Sequence, residues 1–335
     1  MIVVTGASGL IGSNLIRRLL DQGEQVRALV HHNQRPLAGL DIEIVTGDVL
    51  SPSSLEETFR NTDLVYHLAA SISLKMNTSE QMERINILGT RNVVQACLKT
   101  NVGRLVHFSS IHALEQEPMD IPVNENRPRV SSKKYPPYDL SKAAGEREVL
   151  NGVRQGLDAV ILNPTGIIGP YDFEPSYLGT ALLHMARGRL PALITAGFDW
   201  VDARDVASAA IQASQLGLTG ENYLISGHWR SIKQIAAFAA EFSGRQMPWL
   251  TIPLWLSYAG LPLTAAHAAL TRQRNIFTRA TLLALKSNRN IDHSKASQHL
   301  NYQPRPFRET IVDTLQWFDD VGYIHNSNHR QTQEV

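Results

Sequence analysis

Tyr138 and Lys142 stand four residues apart in Tyr138-Asp139-Leu140-Ser141-Lys142, where a helical pattern begins that runs on to Val153. Four residues is about one helical turn, so the phenol and the ammonium share a face. The chemistry such a pair could do is proton transfer. A phenol of pKa about 10 is a poor acid or base at neutral pH. A neighbouring positive charge favours phenolate and brings the group into working range. Tyr135 has Asp139 at the same offset and so lacks a cationic partner. The same spacing also arises as a plain surface pair on a helix, so the reading depends on what surrounds it.

The chain begins Ile2-Val3-Val4-Thr5-Gly6-Ala7-Ser8-Gly9-Leu10-Ile11-Gly12, and a helical pattern follows with Leu15, Ile16, Leu19 and Leu20 on one side. Strand, Gly-rich turn and helix in succession open a dinucleotide-binding α/β unit. A pyrophosphate seats on a helix N-terminus only where the backbone comes close, and a Cβ would block that approach. Gly6, Ser8, Gly9, Leu10, Ile11 and Gly12 are therefore candidate cofactor contacts. A merely structural turn is the plain alternative.

Further strand-like runs cover residues 26–30, 42–45, 64–68, 104–108 and 159–163, with a long helical pattern at 79–100. Short apolar strands separated by helices argue for an α/β fold with a doubly wound parallel sheet. Ligands of such sheets lie beyond the C-terminal ends of the strands. After the second strand, His31-His32-Asn33-Gln34-Arg35 contains no acid to accept ribose hydroxyls. His31 or Arg35 could instead attract a 2′-phosphate, which favours NADP over NAD. After the third strand, Asp48-Val49 offers an acid and an apolar residue suited to an adenine amino group. After the fourth, Ala69 and Ala70 are small enough for the second phosphate and ribose to pass the backbone. After the fifth comes Ser109-Ser110-Ile111-His112. Each is also an ordinary strand end; their common rim raises them together. A cationic nicotinamide ring would add to the effect of Lys142 on Tyr138.

In this order and spacing, Gly6-x-x-Gly9-x-x-Gly12, Asp48-Val49, His67-Leu68-Ala69-Ala70, Ser109-Ser110 and Tyr138-x-x-x-Lys142 resemble the extended short-chain dehydrogenase/reductase (NAD-dependent epimerase/dehydratase) superfamily. Asn86-Ile87-Leu88-Gly89-Thr90-Arg91-Asn92 resembles its Asn-x-x-Gly-Thr-x-Asn helix. Asn163-Pro164-Thr165-Gly166 with Gly169-Pro170 resembles its nicotinamide-holding segment, and Val201-Asp202-Ala203-Arg204-Asp205-Val206-Ala207 its Val-Asp-Val-Arg-Asp-Val-Ala element. The resemblance implies a Rossmann-type sheet with Leu68 and Pro164 beside the cofactor. It implies Tyr138 as proton donor or acceptor, and Lys142 lowering its pKa and binding the nicotinamide ribose. Ser110, the second serine of the pair, would polarise the substrate oxygen. Asn86 would support the group, with helix packing as its plain alternative.

Val26-Arg27-Ala28-Leu29-Val30 and Asn163-Pro164-Thr165-Gly166-Ile167-Ile168-Gly169-Pro170 are similar to the dihydroflavonol reductase and 3β-hydroxysteroid dehydrogenase branch. That branch often has Arg where His31 stands, which weighs against NADP. Sugar-nucleotide dehydratases carry Thr-Asp-Glu where Ser110-Ile111-His112 stands, so elimination is not expected. A reductase or dehydrogenase leads. A sugar-nucleotide epimerase needs only the same tyrosine and stays open. A non-catalytic cofactor-sensing protein would usually have lost the tyrosine or the lysine. His112 could reach a substrate from its rim, a structural histidine being the plainer role.

A chain of 335 residues accommodates two lobes around a cleft. The expected division is a Rossmann domain at 1–165, rejoined by 200–227, a smaller, mainly helical substrate lobe at 166–199 and 228–325, and a disordered tail at 326–335. Helices are expected at 175–189 and at 231–244, the latter with Ile232, Ile235, Ala236, Ala239 and Phe242 inward. Trp200, Trp229, Trp249 and Trp255 suggest a pocket for an apolar or ring-bearing ketone or alcohol. Residues 249–270 are the most apolar stretch, broken by Pro253, Gly260, Pro262 and His267. They read as helices of the substrate lobe; a membrane-surface patch there would suit a lipophilic substrate. A net charge of +1 gives no case for nucleic acid. The single cysteine, Cys97, reads as buried filler and fits a reducing, cytoplasmic setting, as does the lack of a visible signal peptide. No metal is expected. The helices at 79–100 and 139–153 resemble those that pair protomers in the superfamily, which implies a homodimer.

Overall fold

The computed structural model describes residues 1–72, 80–271 and 275–325. The expected tail at 326–335 and the Ser79 start of the long helix lie outside the described residues. The strands are β1 (Ile2–Thr5), β2 (Val26–Val30), β3 (Glu43–Thr46), β4 (Leu64–His67), β5 (Arg104–Phe108), β6 (Ala159–Pro164), β7 (Gly166–Ile168), β8 (Leu193–Thr195), β9 (Gly197–Asp202), β10 (Asn222–Ile225), β11 (His228–Ser231) and β12 (Thr251–Pro253).

Seven strands form one parallel sheet in the order β10-β6-β5-β4-β1-β2-β3. Its central strands are continuous apolar runs because both faces are covered. On one face, the helices Leu10–Asp21 and Ala203–Leu216 bury Leu15, Ile16, Val206 and Ala210 against Val4, Val106 and Val160. On the other, Thr90–Lys99 and Pro137–Arg154 bury Val93, Val94, Cys97 and Val149 against Val3, Val65 and Leu105. Each such Val, Leu or Ile contributes about 1.5–3 kcal/mol by leaving water. The strand order reverses between β1 and β4. Gly6 follows one and Leu68 the other, so the crevice of a doubly wound sheet opens between them.

The expected helix at 79–100 is not uniform. Glu80–Glu83 and Thr90–Lys99 are joined by a π-helical turn, Arg84–Gly89. Such widened turns recur at functional sites, and Asn86 sits in this one. Gly89 lies so close to Val49 that a Cβ would come within 2.9 Å of a Val49 methyl.

A second core joins Ile168, Leu182, Leu183, Trp200, Ile235, Phe307, Ile311 and Phe318. It is built around the sheets β11-β9-β7 and β12-β8. The helix Tyr177–Ala186, capped by Ser176, stands where residues 175–189 were expected helical. The helix Ile232–Ser243 starts in a Ser231–Gln234 capping box and ends at Gly244, φ 66°. Ile235, Ala236 and Ala239 are buried, with Ile232 and Phe242 partly buried against them.

Two expectations change. Ala296, Leu300 and Tyr302 pack into the core of the main sheet rather than the second core. The chain therefore returns to the first lobe once more than the division at 228–325 allows. Trp249 and Trp255, expected to help form a pocket, are 91% and 74% exposed, whereas Trp200 is buried. No helix among the described residues is long and apolar enough to cross a membrane.

Candidate active site

A cavity of about 860 Å³ opens at the β1–β4 reversal, lined by Gly6, Ser8, Gly9, His31, Asp48, Val49, Leu68, Ala69 and Ala70 among others. Gly6 has φ +68°, and a Cβ on it would stand 2.6 Å from the Ala69 nitrogen. The strand end therefore touches the backbone after β4, a contact that only glycine permits. Gly12 acts elsewhere. A Cβ there would meet the Gly6 carbonyl oxygen at 2.5 Å, so Gly12 sets the approach of the first helix to the turn. Gly9 precedes the helix Leu10–Asp21, and no side chain caps that helix. Its first-turn N–H groups are thus available to an anion. This cradle fits a dinucleotide pyrophosphate. Leu10, Ile11 and Gly12 are not among the lining residues of the cavity; the contact expected of them would be made by their backbone N–H groups, which form that first turn.

At the far end of the cavity the His31 and His32 rings meet tilted at 52°, with centroids 3.7 Å apart. His31 Nε2 lies 3.7 Å from Asp48 Oδ2, and Asp48 Oδ1 accepts from the Leu50 N–H at 2.9 Å. Ser8 Oγ donates to the Asn33 carbonyl. Asn33 Nδ2 in turn donates to Glu174 Oε1 at 2.6 Å. Glu174 also lines the cavity. Sequence reading missed it, because it arrives from a segment 141 residues further on.

Tyr138, Lys142 and Pro164 lie outside this cavity. Tyr138 and Lys142 are on the helix Pro137–Arg154, as the four-residue spacing requires, and Pro164 ends β6. The Ser110 side chain lies near enough to the Tyr138 hydroxyl to draw its pKa down. Ser110 Oγ also accepts the His112 N–H at 3.2 Å, and the Ser110 carbonyl accepts Asn163 Nδ2 at 2.9 Å. Ser109 Oγ is buried with no hydrogen-bond partner among the described residues. Adjacent side chains on an extended segment point to opposite sides, and Ser110 is the one close to Tyr138.

The electrostatics differ from expectation. Burial pushes the Tyr138 phenol up to about 12; Ser110 opposes this and the charge of Asp139 adds to it. Lys142 was expected to draw this pKa down. Its ammonium is instead turned to the Phe108 carbonyl, with Nζ donating at 2.6 Å. Burial pushes Lys142 itself down to about 8, against the pull of Glu146. Asp139 is pushed up to about 6 by burial, opposed by the charge of His112.

Beneath Lys142 is a layer that sequence reading missed. Glu146 is fully buried and accepts from Arg129 Nε at 2.5 Å and Asn163 Nδ2 at 2.6 Å. A signal was present: Glu146 is the next four-residue step along the face of Tyr138 and Lys142. His67 and His107 are register partners on β4 and β5, with ring centroids 5.3 Å apart. Burial, then the Lys142 charge, pushes His67 down to about 3 and His107 well below its usual value.

Asn86 is a brace. Its Oδ1 accepts the Ser71 N–H at 2.8 Å, and its Nδ2 donates to the Ser71 carbonyl at 3.0 Å and to Ser141 Oγ at 2.9 Å. Ser141 Oγ donates to the Tyr138 carbonyl at 2.7 Å. Asn86 thus ties the segment after β4 to the turn that carries Tyr138, and acts through others.

Residues 2–226 match the model of the NAD dependent epimerase/dehydratase family, and the chain belongs to that family, within the extended short-chain dehydrogenase/reductase superfamily. It is similar to sterol demethylase protein B of Methylococcus capsulatus, 32% identical over 326 residues, which span 96% of this chain and 99% of that protein. It is similar to a putative dihydroflavonol 4-reductase of Synechocystis, 34% identical over 333 residues, spanning 96% of this chain and 95% of that one. Among solved structures, gox2253 matches with a TM-score of 0.84 at 30% identity, covering 97% of this chain and 99% of its own.

Proposed function

We propose that the chain is a reductase acting on a ketone–alcohol pair, with NADP preferred and an apolar, ring-bearing substrate. The observation that carries this reading is the placing of Lys142, buried one turn along from Tyr138 on the same helix, with the Ser110 side chain close to the phenol. A phenol held at about 12 is protonated at neutral pH, which suits it to donate a proton to a carbonyl oxygen. Ser110 would hold that oxygen, and Asn86 would hold the Tyr138 turn in place. Lys142 would bind the nicotinamide ribose. Gly6, Gly9 and the first helical turn would seat the pyrophosphate, Asp48 and Val49 the adenine, and Leu68, Ala69, Ala70 and Pro164 the nicotinamide half. When bound, the nicotinamide supplies the hydride.

NADP preference is supported by the lack of a carboxylate directly after β2 and by His31 and His32 at the cavity wall. An apolar substrate is supported by the relative that is named for sterol demethylation. The reading carries a homodimer paired through Thr90–Lys99 and Pro137–Arg154, to be measured by light scattering, and a cytoplasmic setting suited to a buried thiol.

The test is a panel of apolar ketones and sugar nucleotides, followed by nicotinamide absorbance. Net oxidation of NADPH by a ketone supports the proposal. Sugar inversion with no absorbance change would replace it with an epimerase.

A further inference from the structure

From Phe242 to Ile291 the chain carries no Asp or Glu and six Lys or Arg. The whole chain is close to neutral, with 32 basic and 31 acidic residues, so this is a local excess. Its middle, from Gln246 to Thr271, has no charge of either sign. Many of its large apolar side chains do not fold inward. Trp249 is 91% exposed, Trp255 74%, Leu263 76% and Leu270 86%. Leu263 and Leu270 are seven residues apart on the helix Leu261–Thr271 and so share a face. Leu256, 42% exposed, continues the same seven-residue spacing one step earlier. Water-facing large apolar side chains of this density mark an interaction surface.

The type of partner follows from the chemistry at the margins. Arg245, Arg279, Lys286 and Arg289 are all exposed. Lys286 Nζ lies 5.5 Å from the ring of Tyr258, which places a cation directly beside the apolar segment. Thr264 Oγ1 donates to the Phe277 carbonyl at 3.4 Å and joins the helix to the segment that bears Arg279. Exposed tryptophan and leucine with a basic margin is the pattern of a segment that lies in a bilayer interface. Each basic residue near an anionic surface adds about 1 kcal/mol. A second copy of the chain fits less well, because a two-fold contact would set one acid-free basic margin against another.

We propose that the segment 249–270, with its basic margin, docks this protein on the surface of a membrane containing anionic lipid. It rests on the surface and does not span. This inference does not depend on the reaction proposed above.

The experiment is co-sedimentation of the full chain with vesicles of phosphatidylcholine alone and with added phosphatidylglycerol. Binding should be at least about tenfold stronger to the anionic vesicles and should fall with added salt. The double variant Trp249→Ser/Trp255→Ser should lose most of that binding with its thermal midpoint unchanged, since both rings are solvent-facing. Arg245→Gln should weaken binding to anionic vesicles only. The proposal is overturned if wild-type protein stays in the supernatant with anionic vesicles, or if the tryptophan variant binds as well as wild type. It is also overturned if the variant's only change is loss of a dimer in light scattering. If the double variant melts early, the salt dependence and Arg245→Gln decide alone.

Discussion

The Lys142 ammonium donates to the Phe108 carbonyl at 2.6 Å, which ties the centre of the site helix to the end of β5. The lysine is therefore a structural link as well as a charge. Burial holds it at about 8, and Glu146 is the group that keeps it from falling further. Its charge is thus within reach of ordinary changes in pH.

Turnover should accordingly decline as pH rises through about 8, as Lys142 loses its proton. Glu146→Gln removes the attraction that supports the ammonium. Its alkaline limb should shift down by on the order of one pH unit. A profile of kcat against pH for both proteins checks this. A limb that does not move in Glu146→Gln would separate Glu146 from the lysine's titration.

Acid stability should reflect His67. Its pKa is about 3 when folded and 6.5 in a free chain, so below pH 6.5 the unfolded state takes up more protons than the folded state. The stability it contributes is present above pH 6.5 and is lost as pH falls towards 3. By pH 5 the loss should be about 2 kcal/mol from this group alone. Urea unfolding at pH 8 and pH 5 measures it, and His67→Gln should shrink the difference.

Three glycines that look alike in the sequence should respond differently. A Cβ on Gly12 meets the Gly6 and Ala7 carbonyl oxygens at 2.5 and 2.6 Å, both backbone atoms that cannot swing aside. Gly12→Ala should destabilise by roughly 1–3 kcal/mol. A Cβ on Gly9 would meet only the Gly6 carbonyl oxygen, at 3.3 Å, which a shift of a few tenths of an ångström relieves, so Gly9→Ala should lose clearly less stability than Gly12→Ala. Gly9→Val should fold and lose dinucleotide affinity. Melting curves and dinucleotide titrations separate the two effects.

Much of this was legible in the sequence for identifiable reasons. The strands of the main sheet are short apolar runs between helices, and their buried cores repeat with simple periods. The Gly6-to-Gly12 turn and the Tyr138–Lys142 pair are local, so spacing alone places them. Contacts between distant segments were not legible. Periodicity shows that Ala296 and Leu300 face a core, but not which core. Nothing near His31 announces Glu174. A π-helical turn adds one residue to a helical repeat without changing its composition, so Asn86 could not be oriented. The Tyr138 pKa failed for another reason. Sequence shows the nearby cation but neither the loss of water around the phenol nor the turning of the ammonium to the Phe108 carbonyl.

The most direct test of the central claim is Tyr138→Phe, measured for NADPH affinity and for turnover of an accepted ketone. The variant keeps the ring and removes only the hydroxyl, the group proposed to give the proton. Affinity should stay within about threefold while turnover falls by roughly 10²–10⁴-fold. Turnover equal to wild type, with affinity unchanged, would contradict the assignment of Tyr138 as the proton donor.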